Sequence, residues 1–239
     1  MRRLISLLLL LVVALGIVLC FSGASFGAEK AARAGELSED RVNFGRRYNS
    51  RGLEETKAAN IVAAVVVNYR GFDTLGEVTV LFIAAVGLAA VLHTRKEEAA
   101  QAGAEPASLI VLTGCRLLFP LILLLGAYVF VHGHLTPGGG FQGGAVVASG
   151  FLLISLGCRG RGLRSAGLAV TESLAGLAFV VVALLGLVVG GSFLLNFLPE
   201  GSAFALFSGG VIPIIYVAIG LKVGSELGGI IGDLSGEAR

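Results

Sequence analysis

Arg70, Asp73 and Glu77 follow one another at intervals of three and four residues, so a single helix face can carry all three. Thr74 stands beside them with a hydroxyl that can donate or accept a hydrogen bond. Glu77 is followed by Val78-Thr79-Val80-Leu81-Phe82-Ile83, and a carboxylate in such apolar surroundings must be either paired or protonated. Glu77 is therefore harder than its neighbours to read as a purely structural residue. Arg70 and Asp73 admit a second reading, an interfacial ion pair that only fixes a helix end. The other stretch that stands out is Thr136-Pro137-Gly138-Gly139-Gly140-Phe141-Gln142-Gly143-Gly144. Pro137 cannot donate a backbone hydrogen bond, and Gly138, Gly139 and Gly140 permit backbone shapes that a side chain would exclude. A tight turn followed by close helix packing is expected there, with Phe141, Gly143 and Gly144 on the packing side. The stretch lacks the Gly-Lys-Ser/Thr that a phosphate loop requires.

The elements that position these residues are set by composition. The 239 residues are 55% hydrophobic and only 14% charged, with 36 glycines, well away from the roughly 25% charged residues of soluble domains. An all-α polytopic membrane protein is expected. The formal net charge of +2 gives no basis for a nucleic-acid partner. Cys20, Cys115 and Cys158 show no spacing suited to zinc, a redox dithiol or an iron–sulfur cluster, so neither metal nor cofactor is expected.

Apolar runs long enough to span a bilayer recur about six times, at residues 4–26, 61–92, 109–131, 140–156, 168–195 and 204–224. Residues 27–57 form a hydrophilic external loop of mixed charge. Residues 96–107 form a charged linker, separating a unit of residues 1–95 from a four-helix unit of residues 108–239. The run 61–92 would make a helix about 48 Å long, well beyond a hydrocarbon core of about 30 Å. It must project from the bilayer or break near Gly71. Arg2, Arg3, Arg95, Lys96, Arg159, Arg161 and Arg164 fall on one side of a six-span topology, which places both termini in the cytoplasm of a cell with the chain in its inner membrane. The first run also suits a cleaved signal peptide, but a retained helix is the expectation.

Other polar residues rank lower as sites. Glu172 lies close to the Arg159–Arg164 cluster, and Lys222 and Glu226 fall near the end of the sixth run, where snorkelling to the interface accounts for all three. His132 and His134 flank Gly133 at the end of a span, and an interfacial structural role is preferred over proton relay. Pro120 and Pro213 are expected to kink their helices. Small residues at four-residue spacing form packing ridges at Gly140, Gly144 and Ala148, at Gly186 and Gly190, and at Gly220, Gly224, Gly228 and Gly232.

The stretch from Asn60 through Val65-Val66-Val67-Asn68-Tyr69-Arg70-Gly71-Phe72-Asp73-Thr74-Leu75-Gly76-Glu77 resembles the C-terminal region of the large Mrp antiporter subunit, called MbhE when separate in membrane-bound hydrogenases. Residues 108–232 resemble MrpB, elsewhere MnhB or MbhF, through the Thr136–Gly144 motif, Phe207-Ser208-Gly209-Gly210-Val211-Ile212-Pro213 and Gly220-Leu221-Lys222-Val223-Gly224. The resemblance implies a subunit of a multisubunit Na+/H+ antiporter or of an ion-pumping hydrogenase-type complex. It implies other membrane subunits as partners, H+ and Na+ as transported ions, and the Glu77 position as a path carboxylate. It implies a transporter subunit rather than an enzyme. Relatives carry an acidic residue where Asn68 stands, so no carboxylate role attaches there. A purely structural scaffold is the alternative.

Overall fold

The computed structural model describes residues 44–93, 108–157 and 166–234, together with Val18. The first apolar run, the linker 96–107, Cys20, Cys158 and the arginines at 159–164 lie outside the described residues.

Among the described residues the chain is entirely helical apart from turns and loops. Helix α1 (Phe44–Thr56) precedes a short helical piece, α2 (Ile61–Ala63), which runs into a wider π-helical segment at Ala64–Tyr69. Helices α3 (Gly71–His93), α4 (Leu109–Val131), α5 (Gly140–Gly157), α6 (Ala166–Gly190) and α7 (Ile212–Leu234) follow. These last five are long and apolar enough to cross a membrane. Helix α7 is the hub, packing against α3, α4, α5 and α6, while α4 also packs against α5.

The overlong second run breaks where an excess of length requires it. At Arg70 the backbone leaves helical geometry, with φ −128° and ψ 33°, and α3 starts afresh at Gly71. A π-helical turn shifts the hydrogen-bond register and leaves carbonyls to be satisfied from elsewhere. Thr74, fully buried, donates its hydroxyl to the Val66 carbonyl at 2.7 Å. Gly71 lets the break press on the loop after α6, because a Cβ there would lie 2.9 Å from Leu194 Cδ1.

The small-residue ridge predicted at Gly140, Gly144 and Ala148 is the contact surface between α5 and α7. A Cβ on Gly140 would stand 2.6 Å from Ile219 Cβ, and one on Gly144 would stand 2.7 Å from Val223 Cβ. From the α7 side, a Cβ on Gly224 would lie 2.9 Å from Val147 Cγ1 of α5, and one on Gly220 would overlap the Phe130 ring of α4 at 2.4 Å. Helix axes this close gain dispersion contacts, which drive association in a bilayer where no hydrophobic effect operates between helices.

Three expectations change. Gly186 and Gly190 receive the chain's own loop rather than another helix, since Leu195 occupies the space where their side chains would be. Pro213 is the second residue of α7 and so lies in its first turn, where the missing N–H costs nothing, and it does not kink the helix. Pro120 does lie inside α4. Finally, the last span begins at Ile212, not at residue 204, because Gly209 and Gly210 adopt positive φ (84° and 59°) and hold the preceding segment in turns. Asn196 locks those turns, donating to the Gly209 carbonyl at 3.2 Å and accepting from the Val211 amide at 2.9 Å.

Candidate functional site

The delayed start of α7 relocates Lys222 and Glu226 from a helix end to its middle. Lys222 Nζ donates to Glu226 Oε2 at 3.0 Å across one helical turn and lies 3.7 Å from Glu172 Oε1 of α6. The same ammonium sits 5.1 Å from the centroid of the Phe82 ring of α3, on its face, a contact that stabilises a cation with little access to water. Both Lys222 and Glu226 are buried, whereas Glu172 is partly open. Snorkelling therefore does not describe Lys222 or Glu226, whose charged ends point into the helix packing. A buried ion pair of this kind is held by its partners, and removing one member leaves an uncompensated charge.

The residues that lead the sequence analysis sit differently. Arg70 and Asp73 form a mutual ion pair with both side chains more than half exposed, so the pair contributes at most about 1 kcal/mol. Glu77 is exposed on α3 and has no hydrogen bond or ion pair with any other described residue. Thr74 faces inward, away from Glu77, in the structural role described above. The helix thus separates the four residues onto two faces: Thr74 packs, and the charged stripe looks outward. Around Glu77 the exposed surface is apolar, with Val80 and Ile83 one turn or more along the helix.

Asn60, a residue to which the sequence assigned no role, joins the broken second run to the Gly133–Thr136 turn that precedes Pro137. The Asn60 side-chain oxygen accepts from the Val62 and Ala63 amides at 3.0 and 3.4 Å, capping α2. Its amide nitrogen donates to the carbonyls of Gly133 and Thr136 at 2.8 and 3.1 Å, and its backbone N–H donates to the His134 carbonyl at 3.0 Å. One residue thereby stitches two distant stretches of chain together. His134 is fully buried in this turn, and neither ring nitrogen has a hydrogen-bond partner among the described residues. Burial pushes its pKa down, opposed weakly by the nearby Leu206 and Ala205 backbone. His132 is partly exposed and stacks on Tyr128 with centroids 4.3 Å apart. Farther out, Tyr69 donates to Glu55 at 2.5 Å, and that bond holds the Glu55 carboxyl below the usual range. Among the described residues, no group of three or more His, Cys, Asp or Glu side chains is placed to hold a metal ion.

Residues 110–229 match the family described as a domain related to the MnhB subunit of Na+/H+ antiporters. The chain belongs to that family. Residues 1–107 match a second family, MbhE, the E component of MBH. An uncharacterized protein of Methanocaldococcus jannaschii is 34% identical over 191 residues, which cover 69% of this chain and 72% of that protein. Among solved structures, the membrane-bound sulfane sulfur reductase, an archaeal respiratory membrane complex, contains a chain that is 45% identical with a TM-score of 0.73, over 91% of this chain and 97% of that one. The Mrp complex of Dietzia sp. contains a chain that is 27% identical with a TM-score of 0.68, over 93% of this chain but 26% of the longer one. This MnhB-related chain is accordingly a multi-pass membrane protein whose relatives are subunits of larger membrane complexes.

Proposed function

We propose that this chain is a membrane subunit of a multisubunit Mrp-type cation/proton antiporter, or of the ion-translocating module of a membrane-bound hydrogenase-type complex, and that its α3 face forms part of a proton or Na+ path. The observation that carries this reading is the outward placement of Glu77 on a membrane span. A carboxylate facing lipid at that position is costly, and Arg70 is already engaged by Asp73. No described residue compensates Glu77; in this reading a neighbouring subunit supplies the compensating group, and a carboxylate shared between subunits can change its proton or its partner during transport. The family assignment supports the same reading, since its namesake is an antiporter subunit. The parent complex is redox-driven if it follows the respiratory relative and purely an antiporter if it follows the Mrp relative. The two matched segments, at residues 1–107 and 110–229, act as adjoining units of one subunit, with both termini cytoplasmic. The Pro137–Gly144 segment serves assembly rather than ion chemistry.

Glu77→Gln tests this directly, because it keeps the shape and removes titration. The complex should assemble in normal amount while cation/proton exchange in membrane vesicles is lost or becomes insensitive to pH. Wild-type exchange across a pH series would refute the path role and leave a scaffold.

A further inference from the structure

We infer that a cavity of about 160 Å³ between α3, α6 and α7 is a proton-binding site, with Glu226 as the carboxyl that takes up the proton. The Glu226 side chain is 1% exposed, and while Oε2 accepts from Lys222, Oε1 is buried with no hydrogen-bond partner among the described residues. An acceptor oxygen left bare inside a membrane span carries a penalty that a bound proton relieves. Glu172 and Glu226 line the cavity together, and one ammonium serves both, so the two carboxylates share a single positive charge. The groups that face Glu226 are Lys222 and Asp233 from its own helix and Glu172 from α6, and the cavity wall supplied by α3 is Phe82, Ala85, Val86 and Ala89, none of which titrates. Protonation at Oε1 gives a neutral carboxyl, weakens its hold on the ammonium, and lets Lys222 turn to Glu172, whose Oε1 lies 3.7 Å away. Loss of the proton reverses the exchange. Glu172, 27% exposed, forms the route by which the proton enters and leaves.

Unlike Glu77, this site lies within the chain and needs no partner subunit. Its test reads protonation rather than transport, so it can fail or succeed independently of the proposed path. Infrared difference spectra of the membrane-embedded complex, taken between successive pH steps, should contain a protonated-carboxyl band that is lost in Glu226→Gln. Glu172→Gln, at the cavity mouth, should assemble and displace the midpoint of that band by about one pH unit, since it removes one charge beside the site. Persistence of every carboxyl band in Glu226→Gln would overturn the proposal. If that variant does not assemble, an unmoved midpoint in Glu172→Gln would overturn it instead. Addition of NaCl at constant ionic strength should leave the band in place, and its loss with Na+ would overturn the proton as occupant in favour of an alkali cation.

Discussion

Helices α3 and α7 are the same length and both apolar enough to cross a membrane, yet 11% of the most apolar stretch of α3 lies buried in the chain against 61% of that of α7. Each carries an acidic residue inside its span, Glu77 on α3 and Glu226 on α7. The buried helix supplies its own counter-charge in Lys222, four residues away. The exposed helix supplies none for Glu77 and points it outward. A buried ion pair thus belongs to the packed hub, while Glu77 on the exposed helix has no partner among the described residues. Under the function proposed above, a neighbouring subunit completes the surface around Glu77.

The largest effect expected in the packed region comes from its closest approach. Gly140→Leu or Gly144→Leu drives a side chain into Ile219 or Val223, where even a Cβ would lie under 3 Å from its neighbour, and overpacking this severe costs about 3 kcal/mol or more. Pull-down should recover fewer partner subunits with either variant, while normal recovery would deny the α5–α7 contact its role in assembly. Lys222→Met comes next among single changes in the hub. It strands Glu226 and Glu172 without their shared cation, at a cost on the order of 3 kcal/mol. The double variant Lys222→Met with Glu226→Leu should regain most of the lost thermal stability in detergent, and a double variant as unstable as the single one would show that the pair matters for shape rather than charge.

A smaller, pH-dependent effect is expected at the turn between α4 and α5 that Asn60 ties to the second run. His134 has a folded-state pKa below its ordinary value, so its neutral form stabilises the turn. That stability is fully present above pH of about 6.5 and declines as the pH falls further, because the unfolded imidazole takes up the proton first. His134→Leu should flatten the acid limb of the melting-temperature profile, measured from about pH 7 down to pH 5. The smallest effect belongs to the exposed stripe. Asp73→Asn should change stability by less than about 1 kcal/mol and leave exchange activity largely intact, since its ion pair with Arg70 is open to solvent. A transport loss as deep as that of Glu77→Gln would move Asp73 into the path.

The membrane setting, the helical class and the need for the second run either to project or to break near Gly71 were legible in the sequence, because span length and hydropathy are local and a run of 32 apolar-rich residues cannot fit one bilayer crossing; only the structure chose the break. The tight packing at Gly140 and Gly144 was legible for the same reason, as a periodic pattern of small residues. What the sequence did not reveal was which polar residues face inward. The glycines at 209 and 210 take left-handed conformations and delay α7, and a run counted from residue 204 therefore placed Lys222 and Glu226 at a helix end. Asn60 and Asn196 gave no signal either, since their hydrogen bonds reach 73 residues and 13–15 residues along the chain. Hydropathy and spacing are properties of neighbours in sequence and determine which segments enter the membrane. Burial of a charge, and the partner that compensates it, depend on the start of one helix and its rotation against four others, and only the tertiary structure decides those.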